Sequence, residues 1–313
     1  MKRKPTSTWR VATMTVDIQT LATAPTRSVR EDFIFAQLQT AVASAPDLVV
    51  LPEACWCYGM DWNQWGAEAE PRESKRVRAV AALARKHRAY VAMPILERRG
   101  NRTFNTLLLL NRNGRIVWHY DKMFLTGGEI KLGITRGRHV RAYDADFGRV
   151  GAAICFDLNF LELAHAWEKQ EVDVILFSSM YRGGPTVATW STTAHAYVIT
   201  ATADEGSQIV DPLGRNLGRT SFYNPVLVRD LPRDYEVFHI DYNFEKWPAL
   251  RAQYGPRIHL EIESEIARFI LESREPGLAV SKIIRQHKLL PLHRALPLWR
   301  RRNPRATALF VKP

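Results

Sequence analysis

Apolar positions along the chain recur in two rhythms that alternate from the N-terminus onward. Val11–Ile18 has the period of a strand, and Arg27–Ala45 follows with Val29, Phe33, Leu38 and Val42 near helical spacing. Asp47–Leu51 is a short continuous apolar run stopped by Pro52, as expected of a strand buried on both faces. Arg72–His87 predicts a helix with a basic outer face and Val77, Val80, Ala81 and Ala84 inside. Strands are predicted at Tyr90–Leu96, Phe104–Leu110 and Ile116–Tyr120, the last two joined through Asn111-Arg-Asn-Gly-Arg115, a hairpin signal. Further strands are expected at Val140–Tyr143 and Arg149–Ile154, a helix at Leu158–Glu168, and strands at Val172–Phe177, 196–202 and 207–211. Asp211-Pro-Leu-Gly214 reads as a turn, Glu236–Tyr242 as a late strand and Leu260–Ser273 as a helix.

Strands alternating with helices place the chain in the α/β class, and the hairpin makes its sheets mixed rather than purely parallel. The expected organisation is a basic arm over 1–8, one α/β domain over 9–273, and a basic, partly apolar C-terminal extension over 274–313, punctuated by Pro276, Pro291, Pro297 and Pro304.

Charge changes this picture in one respect. The chain of 313 residues carries 44 Lys and Arg against 32 Asp and Glu, a net charge of +12. Residues 280–313 hold Lys282, Arg285, Lys288, Arg294, Arg300, Arg301, Arg302, Arg305 and Lys312 with no acidic residue, and Lys2, Arg3 and Lys4 open the chain. These ends account for the whole excess, so 5–279 is electrically balanced and lacks the basic stripe that nucleic-acid binding needs. The interleaved Leu278, Ile283, Ile284, Leu289, Leu290, Leu292, Leu296 and Trp299 make the tail too apolar to be merely solvated; it is expected to pack on its own or a neighbouring subunit, or to meet an acidic partner or anionic membrane surface. The 3 cysteines, Cys55, Cys57 and Cys155, form neither a disulfide framework nor a zinc spacing, and free thiols fit a reducing compartment. No run is apolar enough for a membrane helix, and Asp17 interrupts any signal-peptide core. The expectation is a cytoplasmic protein without nucleic-acid partners.

Three reactive side chains stand just beyond apolar strands, where α/β folds commonly hold ligands. Glu53 ends Leu48-Val-Val-Leu-Pro-Glu53; Lys122 ends Trp118-His-Tyr-Asp-Lys122; Cys155 follows Val150-Gly-Ala-Ala-Ile154 at a strand-to-helix turn. Taken singly, each has a bland reading: a solvated glutamate, a surface lysine, a core thiol. Each also has a chemical reading: a general base, an oxyanion-stabilising cation, and a nucleophile whose pKa the turn's N–H groups and helix end would depress.

In this order and context the three resemble the Glu–Lys–Cys triad of the nitrilase superfamily of carbon–nitrogen hydrolases. Phe104-Asn-Thr106, Val172-Asp-Val-Ile-Leu-Phe-Ser-Ser179 and Ser207-Gln-Ile-Val-Asp-Pro-Leu-Gly-Arg215 resemble further segments of that family, so that the likeness spans about residues 9–245. It implies an α-β-β-α four-layer sandwich of two mixed sheets, a homodimer or higher homo-oligomer, and a cysteine amidohydrolase needing no metal or cofactor. Cys155 would attack a small linear amide, Glu53 would move the protons, Lys122 and the Phe156 backbone N–H would hold the oxyanion, and Glu129 is the candidate for the family's second glutamate. Phe156-Asp157, where nitrilases tend to have Trp-Glu, points to amides rather than nitriles, and Asn159 stands where carbamoylase-like members often have Arg. Trp56, Tyr58, Met180 and Tyr181 are candidates for lining the pocket, against ordinary aromatic packing. The alternatives on the same site are N-carbamoyl hydrolysis, amide-forming acyl transfer, and a non-catalytic scaffold of the same fold.

Overall fold

The computed structural model describes residues 7–304; Lys2, Arg3, Lys4, Arg305 and Lys312 lie outside the described residues. The chain forms two compact units, one over Arg10–Asp230 and one joining the segment up to Trp9 with the segment from Leu231 onward.

The strands are β1 (Thr8–Met14), β2 (Leu48–Val50), β3 (Tyr90–Arg99), β4 (Arg102–Leu110), β5 (Ile116–Asp121), β6 (Tyr143–Ala145), β7 (Gly148–Ile154), β8 (Val174–Ser179), β9 (Tyr197–Thr202), β10 (Gln208–Val210), β11 (Asn216–Arg219), β12 (Val226–Pro232), β13 (Tyr235–His239), β14 (Ile258–Glu263) and β15 (Arg268–Ser273). The α-helices are α1 (Ile18–Ala22), α2 (Arg27–Ala43), α3 (Lys75–His87), α4 (Gly127–Lys131), α5 (Leu161–Glu168), α6 (Pro185–Ala194), α7 (Trp247–Tyr254), α8 (Val280–His287) and α9 (Leu292–Arg302).

Two six-stranded sheets, ordered β12-β1-β2-β3-β4-β5 and β11-β10-β9-β8-β7-β6, form the inner layers of the expected sandwich. Both are mixed: β1-β2-β3 and β7-β8-β9 pair in parallel, while β3-β4-β5 and β9-β10-β11 are antiparallel. Helices α2 and α3 pack on the first sheet, and α5 and α6 on the second. The sequence explains the layering. The central strands are apolar on both faces and buried throughout, as in Leu48–Val50 and Val174–Ser179. Where β7 passes under α5, Gly151 lets the Trp167 ring approach so closely that a Cβ there would stand 2.8 Å from it. Trp167 in turn donates its ring N–H to the Ala152 carbonyl at 3.0 Å.

The facing surfaces of the sheets are joined by hydroxyls as well as by apolar contact. Thr13 donates to the Thr200 carbonyl at 2.6 Å and Thr15 to those of Thr202 and Asp204, each at 2.7 Å. Ser178 donates to the Leu51 carbonyl at 2.8 Å. Short hydroxyl side chains suit this place because they reach across without holding the sheets apart.

The second unit contains a sheet ordered β13-β15-β14, whose core is Phe238, Leu250, Phe269, Leu271, Val280, Ile283 and Leu289. Here the structure corrects the predicted helix over Leu260–Ser273: these residues form most of the β14–β15 hairpin, closed by a turn with Ala267 at φ 52°. The signal was the alternation of Ile258, Leu260 and Ile262 with His259, Glu261 and Glu263, a period of two that the longer apolar content obscured. The expected strand at Val140–Tyr143 forms later, as Tyr143–Ala145 paired with β7 across a tight turn. The expected helix from Leu158 starts at Leu161, because Cys155–Asn159 is a 3₁₀ turn. Within the basic extension, α8 buries Val280 and Ile283, α9 buries Leu292 and Ala295, and the cations face outward.

Replacing Thr13 or Thr15 by Val should cost about 1 kcal/mol each, since a buried carbonyl loses its partner while the volume is kept. Urea unfolding of the variants measures this directly. Ile283→Ala should cost roughly 2–4 kcal/mol through the cavity left in the second unit's core.

Candidate active site

Glu53, Lys122 and Cys155 each leave the end of a strand, and the fold brings the three ends together. Pro52 cannot donate to a sheet ladder, so β2 stops and Glu53 turns inward, followed by Ala54 in the left-handed region at φ 46°. Cys155 itself has φ 46°, a conformation that costs strain for any residue with a side chain, and this holds the thiol out of the β7 ladder. The turn is braced by Asp157, a buried carboxylate that accepts from Ile154 N–H at 3.0 Å, Phe124 N–H at 2.8 Å and the Tyr120 hydroxyl at 2.9 Å. Burial pushes the Asp157 carboxyl up to about 6, against the pull of those donors.

Lys122 lies between two carboxylates. Its ammonium stands 2.9 Å from Glu53 and 2.9 Å from Glu129. Lys122 is 2% exposed, and Glu53 and Glu129 are 3% exposed. Glu129 sits in the first turn of α4, where a capping box fixes it: Thr126 N–H and hydroxyl donate to its Oε2 at 2.9 and 3.0 Å, and its own N–H donates to the Thr126 hydroxyl at 3.2 Å. Burial opposes the charge on both groups, yet Glu53 and then Glu129 raise Lys122, and Lys122 lowers Glu129. Lys122 and Glu129 form a standing ion pair.

Asn105, on β4, joins the cluster. Its Nδ2 donates to Glu53 Oε1 and to Glu129 Oε1, each at 2.8 Å. The motif Phe104-Asn-Thr106 stands in the sequence, but nothing marks its asparagine there beyond being a polar residue near the start of the apolar run Leu107–Leu110. The remaining Glu53 oxygen accepts the Met180 N–H at 3.1 Å.

The half-buried Cys155 thiol faces this group, within hydrogen-bond reach of the Glu53 carboxylate and the Met180 N–H. Burial, then the charge of Glu53, push the thiol up to about 12, with Lys122 opposing. This corrects the expectation that the turn depresses its pKa: burial of the thiol, and then the carboxylate beside it, outweigh the N–H groups. Cys155 is therefore held as a neutral thiol.

The other expected residues divide. Tyr181, 40% exposed, reaches back to the Cys155 carbonyl at 3.3 Å. Phe156, next to Cys155 in the chain, is half-buried and stands edge-on to Phe160, which stacks on Phe124 at 3.6 Å. Asn159 is exposed, its amide donating to the Phe156 carbonyl at 3.0 Å. Met180 contributes its backbone N–H to Glu53. Tyr58 is 1% exposed and electrostatically close to Glu53 and Cys155, with its hydroxyl unpartnered among the described residues. Trp56 is not brought to the site: it is packed among core residues with Phe35 beside it and Arg76 over its ring, and it donates to the Pro94 carbonyl. Among the described residues, no group of three or more His, Cys, Asp or Glu side chains is placed to hold a metal ion. No described helix is long and apolar enough to cross a membrane.

The model of the carbon–nitrogen hydrolase family matches residues 10–236. The chain belongs to this family. Among relatives of this carbon–nitrogen hydrolase, an omega-amidase of Saccharomyces cerevisiae is 26% identical over 161 residues, 46% of this chain and 55% of its own length. An omega-amidase of Danio rerio is 24% identical over 226 residues, 63% of this chain and 80% of its own. A hydrolase of Schizosaccharomyces pombe is 23% identical, covering 56% of this chain and 58% of its own length. The chain thus spans little more than half the length of two of these relatives. The fold matches that of an amidase from Nesterenkonia sp. with a TM-score of 0.64 at 20% identity, over 74% of this chain and 92% of that one. It also matches Saccharomyces cerevisiae Nit3, a member of the nitrilase superfamily, with a TM-score of 0.63 at 19% identity, over 82% and 99%. A variant of the Nesterenkonia amidase, with a TM-score of 0.63 at 19% identity over 77% of this chain and 99% of that one, carries acrylamide added at its active-site cysteine.

The raised thiol is open to measurement. Ultraviolet difference titration against Cys155→Ser should show no thiolate near pH 8.5, where an ordinary cysteine is about half ionised. Glu53→Gln removes the repelling charge and should move the thiolate titration downward; an upward movement would contradict the assigned electrostatics.

Proposed function

We propose that this chain is a cysteine amidohydrolase that cleaves the C–N bond of a small linear amide through a thioester acyl-enzyme. The observation that carries the reading is the meeting of a protonated thiol, a carboxylate and a buried ammonium at three strand ends, with the Glu53 carboxylate 2.9 Å from the Lys122 ammonium. A thiol pushed up to about 12 is inert without a base at hand, and Glu53 is within reach to serve as that base.

Acylation begins as the Cys155 sulfur attacks the amide carbon and its proton passes to Glu53. Negative charge gathers on the carbonyl oxygen, where Lys122 and the Phe156 N–H stabilise it. Glu53 then gives the proton to the nitrogen, the C–N bond breaks, and ammonia or an amine leaves with a thioester on Cys155. A water delivers one proton to Glu53 and its hydroxyl to the thioester carbon; the carboxylic acid departs and the proton returns to sulfur. Glu129 shares the ammonium with Glu53, which keeps Lys122 charged and in place throughout.

Phe156-Asp157 favours amides over nitriles, and the cluster of Phe124, Phe156 and Phe160, which starts at the residue after Cys155, would suit an apolar acyl group. Transfer of the acyl group to an amine instead of water uses the same intermediate, so partition of the trapped thioester between water and added amines separates the two outcomes.

Intact-mass measurement during turnover of a panel of simple amides should show an added acyl mass on Cys155. Cys155→Ala should lose turnover entirely with its thermal unfolding unchanged, and Glu53→Gln should lose about 10²- to 10⁴-fold, the usual contribution of a positioned base. Turnover retained in Cys155→Ala would overturn the proposal.

A further inference from the structure

We infer that Asn105 is the positioning residue that keeps Glu53 and Glu129 ionised side by side, so that Glu53 is available as a base. The inference rests on the amidohydrolase reading and extends it to a residue that touches neither the thiol nor the scissile bond.

Asn105 acts on all three charged members of the site. The two hydrogens of its amide nitrogen serve one carboxylate each, at 2.8 Å to Glu53 Oε1 and 2.8 Å to Glu129 Oε1. Its backbone carbonyl accepts the Lys122 N–H at 2.9 Å, which sets where the lysine leaves β5. The residue is 3% exposed and pairs with Leu96 across β3 and β4, so it moves only if the sheet does. The orientation of the amide follows from its partners: turned over, its oxygen would face two carboxylates. As placed, Asn105 Oδ1 has no partner among the described residues, so the side chain is committed to its two donor contacts.

The charge arithmetic explains why an amide is needed. Two buried carboxylates share one ammonium, leaving the cluster one negative charge in excess. Like charges so placed tend to bind a single proton between them, as carboxylate dyads do. A proton held by the pair disables the base. A second lysine would restore neutrality but hold the carboxylates too tightly to take a proton from the thiol. A neutral double donor stabilises both anions without adding a charge.

The experiment follows acrylamide addition to Cys155 by intact mass as a function of pH. The sulfur bonds to the terminal alkene carbon and the thiol proton, relayed through Glu53, ends on the carbon next to the amide. Cys55 and Cys57 are buried and Cys155→Ala reports any reaction there. In the unmodified protein the rate should fall toward acid pH, as expected of a carboxylate base. Asn105→Leu, of similar volume and without donors, should move this acid limb up by about one unit and slow addition by up to about tenfold, the full factor being reached at pH values below the original limb. Asn105→Asp, of the same size but with a third carboxylate, should move it further. Adding Glu129→Gln to Asn105→Leu removes the second like charge and should bring the limb back down, which a purely structural role for Asn105 would not do. If Glu53→Gln abolishes the limb while folded Asn105→Leu and Asn105→Asp leave it where it was, this inference is overturned and the base assignment stands. If the limb persists unchanged in Glu53→Gln, the base assignment itself fails.

Discussion

A single buried ammonium sets the terms for the rest of this structure. Lys122 has almost no access to water, and a charge in that position is tolerated only with close partners of opposite sign. It has two, and each of them is a buried charge needing partners in turn. The demand propagates outward: Glu53 takes bonds from Asn105 and the Met180 N–H, and Glu129 takes them from Asn105 and from the Thr126 N–H and hydroxyl. Breaking such a pair from one side costs about 3–5 kcal/mol. The site is therefore a polar network that must be complete, built into the ends of strands that are otherwise apolar.

The sheets supply that completeness. Glu53 leaves β2, Lys122 leaves β5 and Cys155 leaves β7, so the group draws on both sheets. Hydroxyl bridges from Thr13, Thr15 and Ser178 fix the sheets against each other, and the Ser178 bridge ends on Leu51, two residues before Glu53. Asp157 does for the cysteine turn what α4 does for Glu129, collecting N–H groups from two segments onto one carboxylate. Precision at the sulfur is thus inherited from packing and from backbone donors rather than from flexible loops.

Much of this was legible in the chain. The run Leu48–Leu51 stopped by Pro52 announced both a buried strand and the place where its successor turns away. The small and apolar run Val150–Ile154 announced a strand that delivers Cys155 to a turn; that Gly151 admits the Trp167 ring is seen only in the structure. Other features were not legible, for identifiable reasons. Leu260–Ser273 carries enough apolar residues for a helix, and only its pairing partners show that the two-residue period governs. Glu129 could equally have been a solvated residue of a glycine-rich turn; its burial depends on Lys122 and Asn105 arriving from elsewhere. Trp56 lies three residues from Glu53 and yet points into the core, since a left-handed residue and a 3₁₀ turn intervene.

By itself, then, the sequence determined the alternation of strands and helices, the residues at strand ends that carry reactive groups, and the confinement of net charge to the two termini. These depend on local periodicity, proline and composition, which act over a few residues. The tertiary structure alone decided which charges share a cation, that Cys155 rests as a thiol, and that Asn105 belongs to the site. Those outcomes depend on distances of about 3 Å between segments far apart in the chain and on the absence of water between them. A pKa or an ion pair is a property of that assembled environment, and no stretch of sequence contains it.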